Sequence, residues 1–492
     1  MDSSDVILVL PHQLHAAHPL VPGTDPARIV VFDEPLLFGD PDFDPGWHPL
    51  TIAWRTAAID AWRESNGMPA RIPWRGREQV PAQREALVQH LRSMGSRGAA
   101  ETATLHVLDP IDDWMLQRLE GVARVADLQL RVHDGPGFLL SDADARTTLG
   151  DRGRARMATF YQRQRRRFDV LMTSEGTPVG GRWSFDEDNR KRLPKELRGL
   201  RAPWPWPSHS DGDAPRLAFP HTRAGARAWL EQFVDERLDR FGPYEDAMDP
   251  GAALLYHAAI TPMLNHGLLE PREVLDLVLE QAADRGADHM PLQSVEGFVR
   301  QLIGWREYMR AAYVVHGRAL RTANHWGHHR AEPRGLRAGT TGIEPVDDVA
   351  RRVAELGWCH HIERLMVLGN YLFLTETSPD AVYAYFTGQF TDALDWVMVT
   401  NAYGMSQDAG GGLLTTKPYF SGSAYLRRMG WPRGAWCDTW DALYWRFIIR
   451  HADELRGNVR WAMAVRNADG FDAARRREFV TRAEAHIESI RT

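Results

Sequence analysis

Cysteine is almost absent: Cys359 and Cys437 are the only two in 492 residues, and no Cys-x-x-Cys pair exists. That excludes a disulfide framework and fits a reducing cytoplasm. No apolar run reaches the roughly 18 residues a membrane-spanning helix needs. The opening MDSSDVILVLPHQL places acids before a short apolar run ended by proline, which predicts a buried strand and no signal peptide. Neither G-x-G-x-x-G nor G-x-x-x-x-G-K-[ST] occurs, which argues against a nucleotide held by a Rossmann fingerprint or a P-loop. Internal repeats are lacking. So is a cationic excess: 59 Lys and Arg stand against 65 Asp and Glu, a net charge of −6. A globally basic nucleic-acid coat is thereby excluded, although a local basic groove is not. Tryptophan, in contrast, is plentiful at 18 residues, a side chain suited to stacking on planar ligands and to carrying electrons.

Strand-length apolar runs, DVILVL, RIVVFD, ATLHVLD and LQLRVHD, alternate with helical spacing in HPLTIAWRTAAIDAWRES, REALVQHLRSMG and IDDWMLQRLEGVARVAD. The alternation predicts an α/β domain over residues 1–134 with a doubly wound parallel sheet. Ligands of such sheets bind at the carboxyl ends of strands, so PHQLH and DEPLLF are the expected lining segments. Residues 135–220 read as a connector rich in proline, glycine and charge. Its basic residues Arg163, Arg165 and Arg166, then Arg190 and Lys191, suit phosphate contact or, equally, a solvated helix face. Residues 221–492 show apolar positions at three- and four-residue spacing, a large all-α domain able to enclose a ligand between helices.

GWCHHIERLM, Gly357 to Met366, sets a cysteine beside two histidines within a helical pattern. Consecutive helical residues point about 100° apart, so Cys359, His360 and His361 cannot share one metal. The cysteine reads as packing, and at most one or two of the set can line a common pocket. In NHWGHHR, His325, His328 and His329 have His-x-x-His spacing but no acidic or cysteine partner nearby. A polar loop over a pocket mouth is the better reading than a zinc site.

Nine segments in register resemble the bacterial photolyase/cryptochrome branch that usually carries an iron–sulfur cluster and whose repair members act on pyrimidine (6-4) photoproducts. They are LPHQLHAAHP, PVGGRWSFDEDNRKRLPK, FGPYEDAM, ITPMLNHGLLEP, EGFVRQLIGWREYMR, HHIERLMVLGN, DALDWVMVTNAYGMSQ, TTKPY and LYWRF. The resemblance implies an α/β antenna domain, a long connector and a helical FAD-binding domain. It places Tyr244, Thr261, Pro262, Asn265, Gln301, Trp305, Arg306, Arg364, Asp392, Asn401 and Gly404 around FAD, with Arg364 paired to Asp392. It implies His360, His361 and Tyr419 as catalytic residues beside a lesion flipped out of DNA, and Lys417 as a phosphate contact. Imidazole suits that role because it changes charge near neutral pH.

The departures from the family pattern carry their own expectations. Of the four cluster cysteines, the upstream one is replaced by Pro345. Cys437 lies one residue off a ligand position, and Cys359 lies outside the set. Four thiolates cannot be assembled, so no iron–sulfur centre is expected. The Trp–Tyr electron relay reads Tyr385–Phe386, leaving Trp396, Trp440 or Trp445 as alternatives. Gly410 replaces an aspartate near the flavin. His48 is kept, but the lysine and the His-Arg-Ala-Ser-Met run of relatives are missing, which leaves a ribityllumazine antenna open. The readings are a cluster-free (6-4) DNA photolyase acting on damaged DNA, a cryptochrome-like photoreceptor signalling through a partner, or a flavoenzyme that reuses the lesion pocket for a small molecule. A cytoplasmic monomer is expected.

Overall fold

The computed structural model describes residues 5–68, 71–95, 103–149, 156–199, 217–415 and 418–491. Five strands, β1 Val6–Val9, β2 Ile29–Phe32, β3 Arg71–Ile72, β4 Thr104–Leu108 and β5 Gln129–His133, form one sheet in the order β3-β2-β1-β4-β5. Every pairing is parallel, with Ile7 opposite Ile29 on one side and His106 on the other. β1 and β2 are buried throughout, as expected of strands covered on both faces. The sequence reading missed β3. It has two half-buried residues and no apolar run to betray it.

Helices α1 Pro49–Asn66, α2 Val80–Gly95 and α3 Asp113–Ala126 supply the crossovers. α1 begins where His48 Nδ1 accepts the Leu50 N–H at 3.2 Å and Pro49 opens the first turn. It stops at Gly67, whose φ of 62° is left-handed. The same His48 ring donates from Nε2 to Ala354 O at 2.9 Å, far along the chain. Arg55 of α1 is fully buried and reaches Leu37 O, Ala393 O at 2.9 Å and His266 Nε2 at 3.3 Å. The remainder is mostly helical, and the main apolar core runs from the sheet through the helices. No helix among the described residues is long and apolar enough to cross a membrane.

GWCHHIERLM lies at a helix break, which corrects the reading of one continuous helix. Glu344–Leu356 ends at Gly357, φ 63°, where the chain turns left-handed. Trp358 to His360 are irregular, and the chain re-enters a helix at His361. The break frees adjacent residues from the 100° rule by giving each its own backbone geometry. DEPLLF also departs from expectation. Leu36, Leu37 and Phe38 are core, Asp33 pairs with Arg71 at 2.7 Å, and Glu34 pairs with Arg118 at 3.3 Å.

Candidate functional site

Three helical stretches widen into π-helical turns: Arg300–Arg306, Glu363–Gly369 and Val399–Ser406. A π turn carries an extra residue, which re-aims side chains and leaves backbone groups without their usual partners; such turns concentrate at functional sites. These three carry Gln301, Trp305 and Arg306, then Arg364, then Asn401 and Gly404. No sequence signal had marked them as anything but α-helix.

Asp392 is the hub. Its carboxylate accepts Thr261 Oγ1 at 2.6 Å and the Arg364 guanidinium at 3.1 and 3.3 Å. Its backbone oxygen accepts Asn265 Nδ2 at 2.8 Å, and Asn265 Oδ1 in turn accepts Arg306 Nη2 at 3.3 Å. Burial works against the Arg364 cation, but Asp392 outweighs it and holds the pKa above its ordinary value. The Arg364 guanidinium also lies 4.1 Å from the centre of the Phe390 ring. Arg306 lies 4.0 Å over Phe138 and 5.0 Å over Trp396, with Nε and Nη1 unpartnered. Burial lowers its pKa to about 10. A buried cation with spare donors is built to meet an anion.

Others of the expected set stand nearby or apart. Trp305 packs edge-on to Tyr308 at 6.1 Å, Gln301 binds Glu245 Oε2 at 3.4 Å, and Asn401 donates to Val397 O at 2.7 Å. Pro262 opens the short helix Thr261–Asn265 beside the hub. Tyr244 joins Tyr256, ring centres 5.5 Å apart, and the small apolar cluster around Leu193. It does not join the Asp392 network. A Cβ on Gly410 would stand 3.0 Å from Leu320 and Leu413 carbons, so an aspartate there would need those neighbours to give way.

The paired histidines divide sharply. His361 is exposed, yet protein surrounds it closely enough that burial, with Arg364 and His360 adding to it, lowers its pKa to about 4. His360 is 1% exposed and faces protein only, which corrects its assignment as a residue touching substrate. Its ring stacks on His257 with centres 4.2 Å apart and planes 9° from parallel. Its Nε2 lies 3.3 Å from Glu363 Oε2. Burial alone would raise the Glu363 pKa, but Arg352 at 2.6 Å and His360 bring it down to about 2. His257 Nε2 donates to Glu245 O at 2.9 Å; burial and His360 lower its pKa to about 3. His257, Arg352 and Glu363 were missed in the sequence. Glu363 had the one available signal, three residues after His360 in the motif.

Tyr419 is half-buried, with Asp186, Arg190, Arg460 and Asp246 near enough to act on its phenol. Arg190 is exposed and pairs with Asp186 and, at 4.0 Å, with Asp246. Lys191, Arg163 and Arg166 are exposed, and Arg166 stacks 4.4 Å over Trp183. Arg165 is a correction. It is fully buried, donates to Val170, Leu171, Arg182 and Trp183 carbonyls, and has nothing left for a phosphate. Lys417 lies outside the described residues.

Further groups settle other expectations. His12, Gln13 and His15 line a cleft with Pro110, Phe138, Asn265, Arg306 and Trp396 at the carboxyl ends of β1 and β4. His48 has both ring nitrogens committed and does not face this cleft. His325 pairs with Glu454 at 2.7 Å, while His328 is buried against Phe373; the NHWGHHR segment is thus partly core, not a purely polar loop. Among the described residues no three His, Cys, Asp or Glu side chains are grouped to hold a metal. A Cβ on Gly434 would stand 3.0 Å from Glu344 Oε2, so the loop before the helix Trp436–Arg450 packs directly on the start of Glu344–Leu356.

A five-stranded parallel α/β unit joined to a helical unit with three π-helical turns around the Arg364–Asp392 pair defines a class, and the comparisons agree with it. The family profile described as deoxyribodipyrimidine photo-lyase-related protein matches residues 7–213. A (6-4) photolyase of Agrobacterium fabrum is 32% identical over 381 residues, 71% of this chain and 74% of that protein. A bacterial class III photolyase from Agrobacterium tumefaciens superimposes with a TM-score of 0.57 at 17% identity, over 99% of this chain and 98% of that one. A Synechocystis cryptochrome does so at 0.56 and 13% identity, over 99% of both chains; these two likenesses speak for the fold. The chain belongs to the photolyase/cryptochrome family, in its deoxyribodipyrimidine photolyase-related branch.

Proposed function

We propose that the protein is an FAD-dependent, blue-light-driven DNA photolyase of the (6-4) type that works without an iron–sulfur cluster. The observation that carries this reading is His361, an exposed imidazole three residues before Arg364 of the Arg364–Asp392 pair. FAD, when bound, supplies the light-absorbing electron donor. Arg306, with its unpartnered nitrogens, and the Thr261–Asp392–Arg364 network would hold it. His361 would move a proton at the lesion from its ring nitrogen. Tyr419 would form a wall of the lesion pocket, and Arg190, Lys191, Arg163 and Arg166 would meet the DNA backbone.

The donor set does not fit a cluster. Burial pushes the Cys359 thiol up to about 12, which keeps it protonated, and the only other cysteine is Cys437. Two thiols cannot replace four thiolates. Tyr385 and Phe386 are buried one beside the other, 5.5 Å between centres, and Phe386 abuts Phe390 under Arg364. Phenylalanine does not relay an electron, so this path would serve photoreduction poorly, and Trp396 beside Arg306 is the better placed aromatic. The test uses protein with chemically reduced FAD, illuminated with a (6-4) oligonucleotide. Restored pyrimidines are expected; none, with flavin bound and reduced, would overturn the reading.

A further inference from the structure

Large apolar side chains are rarely left wholly in water as neighbouring pairs on a ridge. Val459 is 91% exposed and Met463, four residues on, is 72% exposed; the next most exposed large apolar residue described is Val125 at 54%. They stand on the turn between helices Ala452–Arg456 and Ala462–Asp469 and on the first turn of the second helix. The turn is pinned from below. Trp461 stacks on Phe420 with centres 4.1 Å apart and planes 5° from parallel, and its N–H donates to Asn458 O at 2.9 Å. Asn458 Oδ1 also accepts the Arg460 N–H at 3.0 Å. Val459 is therefore held out by a fixed base.

Phe420 directly follows Tyr419, so the base of this turn is continuous with the proposed lesion pocket. The surroundings carry charges of both signs, with Asp186 and Asp246 also near the Tyr419 phenol and paired to Arg190. Arg460 and Arg190 both act on the Tyr419 phenol, and Arg428 lies 5.3 Å over the neighbouring Tyr425. Arg460 forms no ion pair among the described residues, nor does Arg428. An apolar ridge flanked by free arginines suits a polyanion with an apolar interior, which describes an opened DNA duplex.

We propose that Val459 and Met463 enter the duplex beside the proposed lesion pocket and fill the gap left when the damaged bases leave the stack, with Arg428 and Arg460 on the flanking phosphates. The inference rests on the repair reading above. Flipping a base costs a few kcal/mol of stacking, and apolar side chains inserted between steps offset part of it. A single strand has no stack to break, so the ridge should matter for duplex substrate alone.

The experiment compares wild type with the Val459→Ser/Met463→Ser double variant, both with FAD bound, in the dark. Anisotropy reads affinity for a synthetic duplex with one (6-4) lesion, for the same strand alone, and for undamaged duplex. The variant should lose about tenfold on the lesion duplex and keep its single-strand affinity. Equal affinity for the lesion duplex, or an equal loss on both substrates, would overturn the wedge while leaving the repair reading intact. Wild type that fails to prefer lesion over undamaged duplex would overturn both. A matching melting temperature and flavin content certify the variant's fold.

Discussion

One peptide bond separates two roles at His360 and His361. The first is sealed between His257 and Glu363; the second is exposed. His361→Ala should therefore keep flavin content and melting temperature while repair falls by about 100-fold or more. His360→Ala should cost about 2–4 kcal/mol of stability, as truncations of buried rings do; thermal melts compare the two. Proton donation by His361 needs a charged ring, and burial holds the pKa near 4. The charged fraction grows as pH falls, so the repair rate should rise from pH 8 toward pH 6, by up to about tenfold per unit. A flat profile would remove His361 as the donor. Arg165 and Arg166 offer a second contrast between neighbours. Arg166→Ala should lower the salt dependence of DNA binding by about one unit of slope. Arg165→Ala should leave the slope alone and lower the melting temperature, since its carbonyl partners would be left unpaired.

The three π-helical turns carry Arg306, Arg364 and Asn401 of the candidate site. Two of them, Glu363–Gly369 and Val399–Ser406, meet where Gly369 faces Ser406, and a Cβ on Gly369 would overlap the Ser406 hydroxyl. Gly369→Ala must push apart the segments that carry Arg364 and Asn401. We expect a loss of about 1–3 kcal/mol and a lower flavin-to-protein absorbance ratio; unchanged flavin retention would show that the spacing of these segments is not what holds the cofactor. Elements also mark where the sequence was legible. β1, β2, β4 and β5 announce themselves as apolar runs, whereas β3 is a two-residue edge whose register comes from β2. The helix break at Gly357 was hidden because apolar spacing resumes after it. Arg165 looked like its basic neighbours because burial depends on the connector folding back over it. The Asp392–Arg364 pair was legible through the family motif; the His257 stack was not, since it joins residues about 100 positions apart in sequence, a separation no local pattern reports.

For the whole molecule, buried neutral histidines set the acid limit. His12, His257 and His328 have folded pKa values of about 4, 3 and 4, each lowered from 6.5 chiefly by burial. Between those values and 6.5 the unfolded chain binds protons that the folded chain refuses. Their contribution is whole above pH 6.5 and is lost as pH falls toward 4. Glu363 adds a second loss, between about 4.5 and about 2. The melting temperature should fall by roughly 10 °C between pH 7.5 and pH 5; a constant value over that range would contradict the burial of these rings.

The first helix of the sheet unit is fastened at three points to chain hundreds of residues away. His48 holds Ala354 just before the helix break, Thr51 meets Thr391 at 3.3 Å, and Arg55 holds Ala393 next to Asp392. The segment that would gather light and the segment that would use it thus share struts, two of whose far ends flank Asp392. A chimera that imports this helix from a relative brings foreign struts to Asp392 itself.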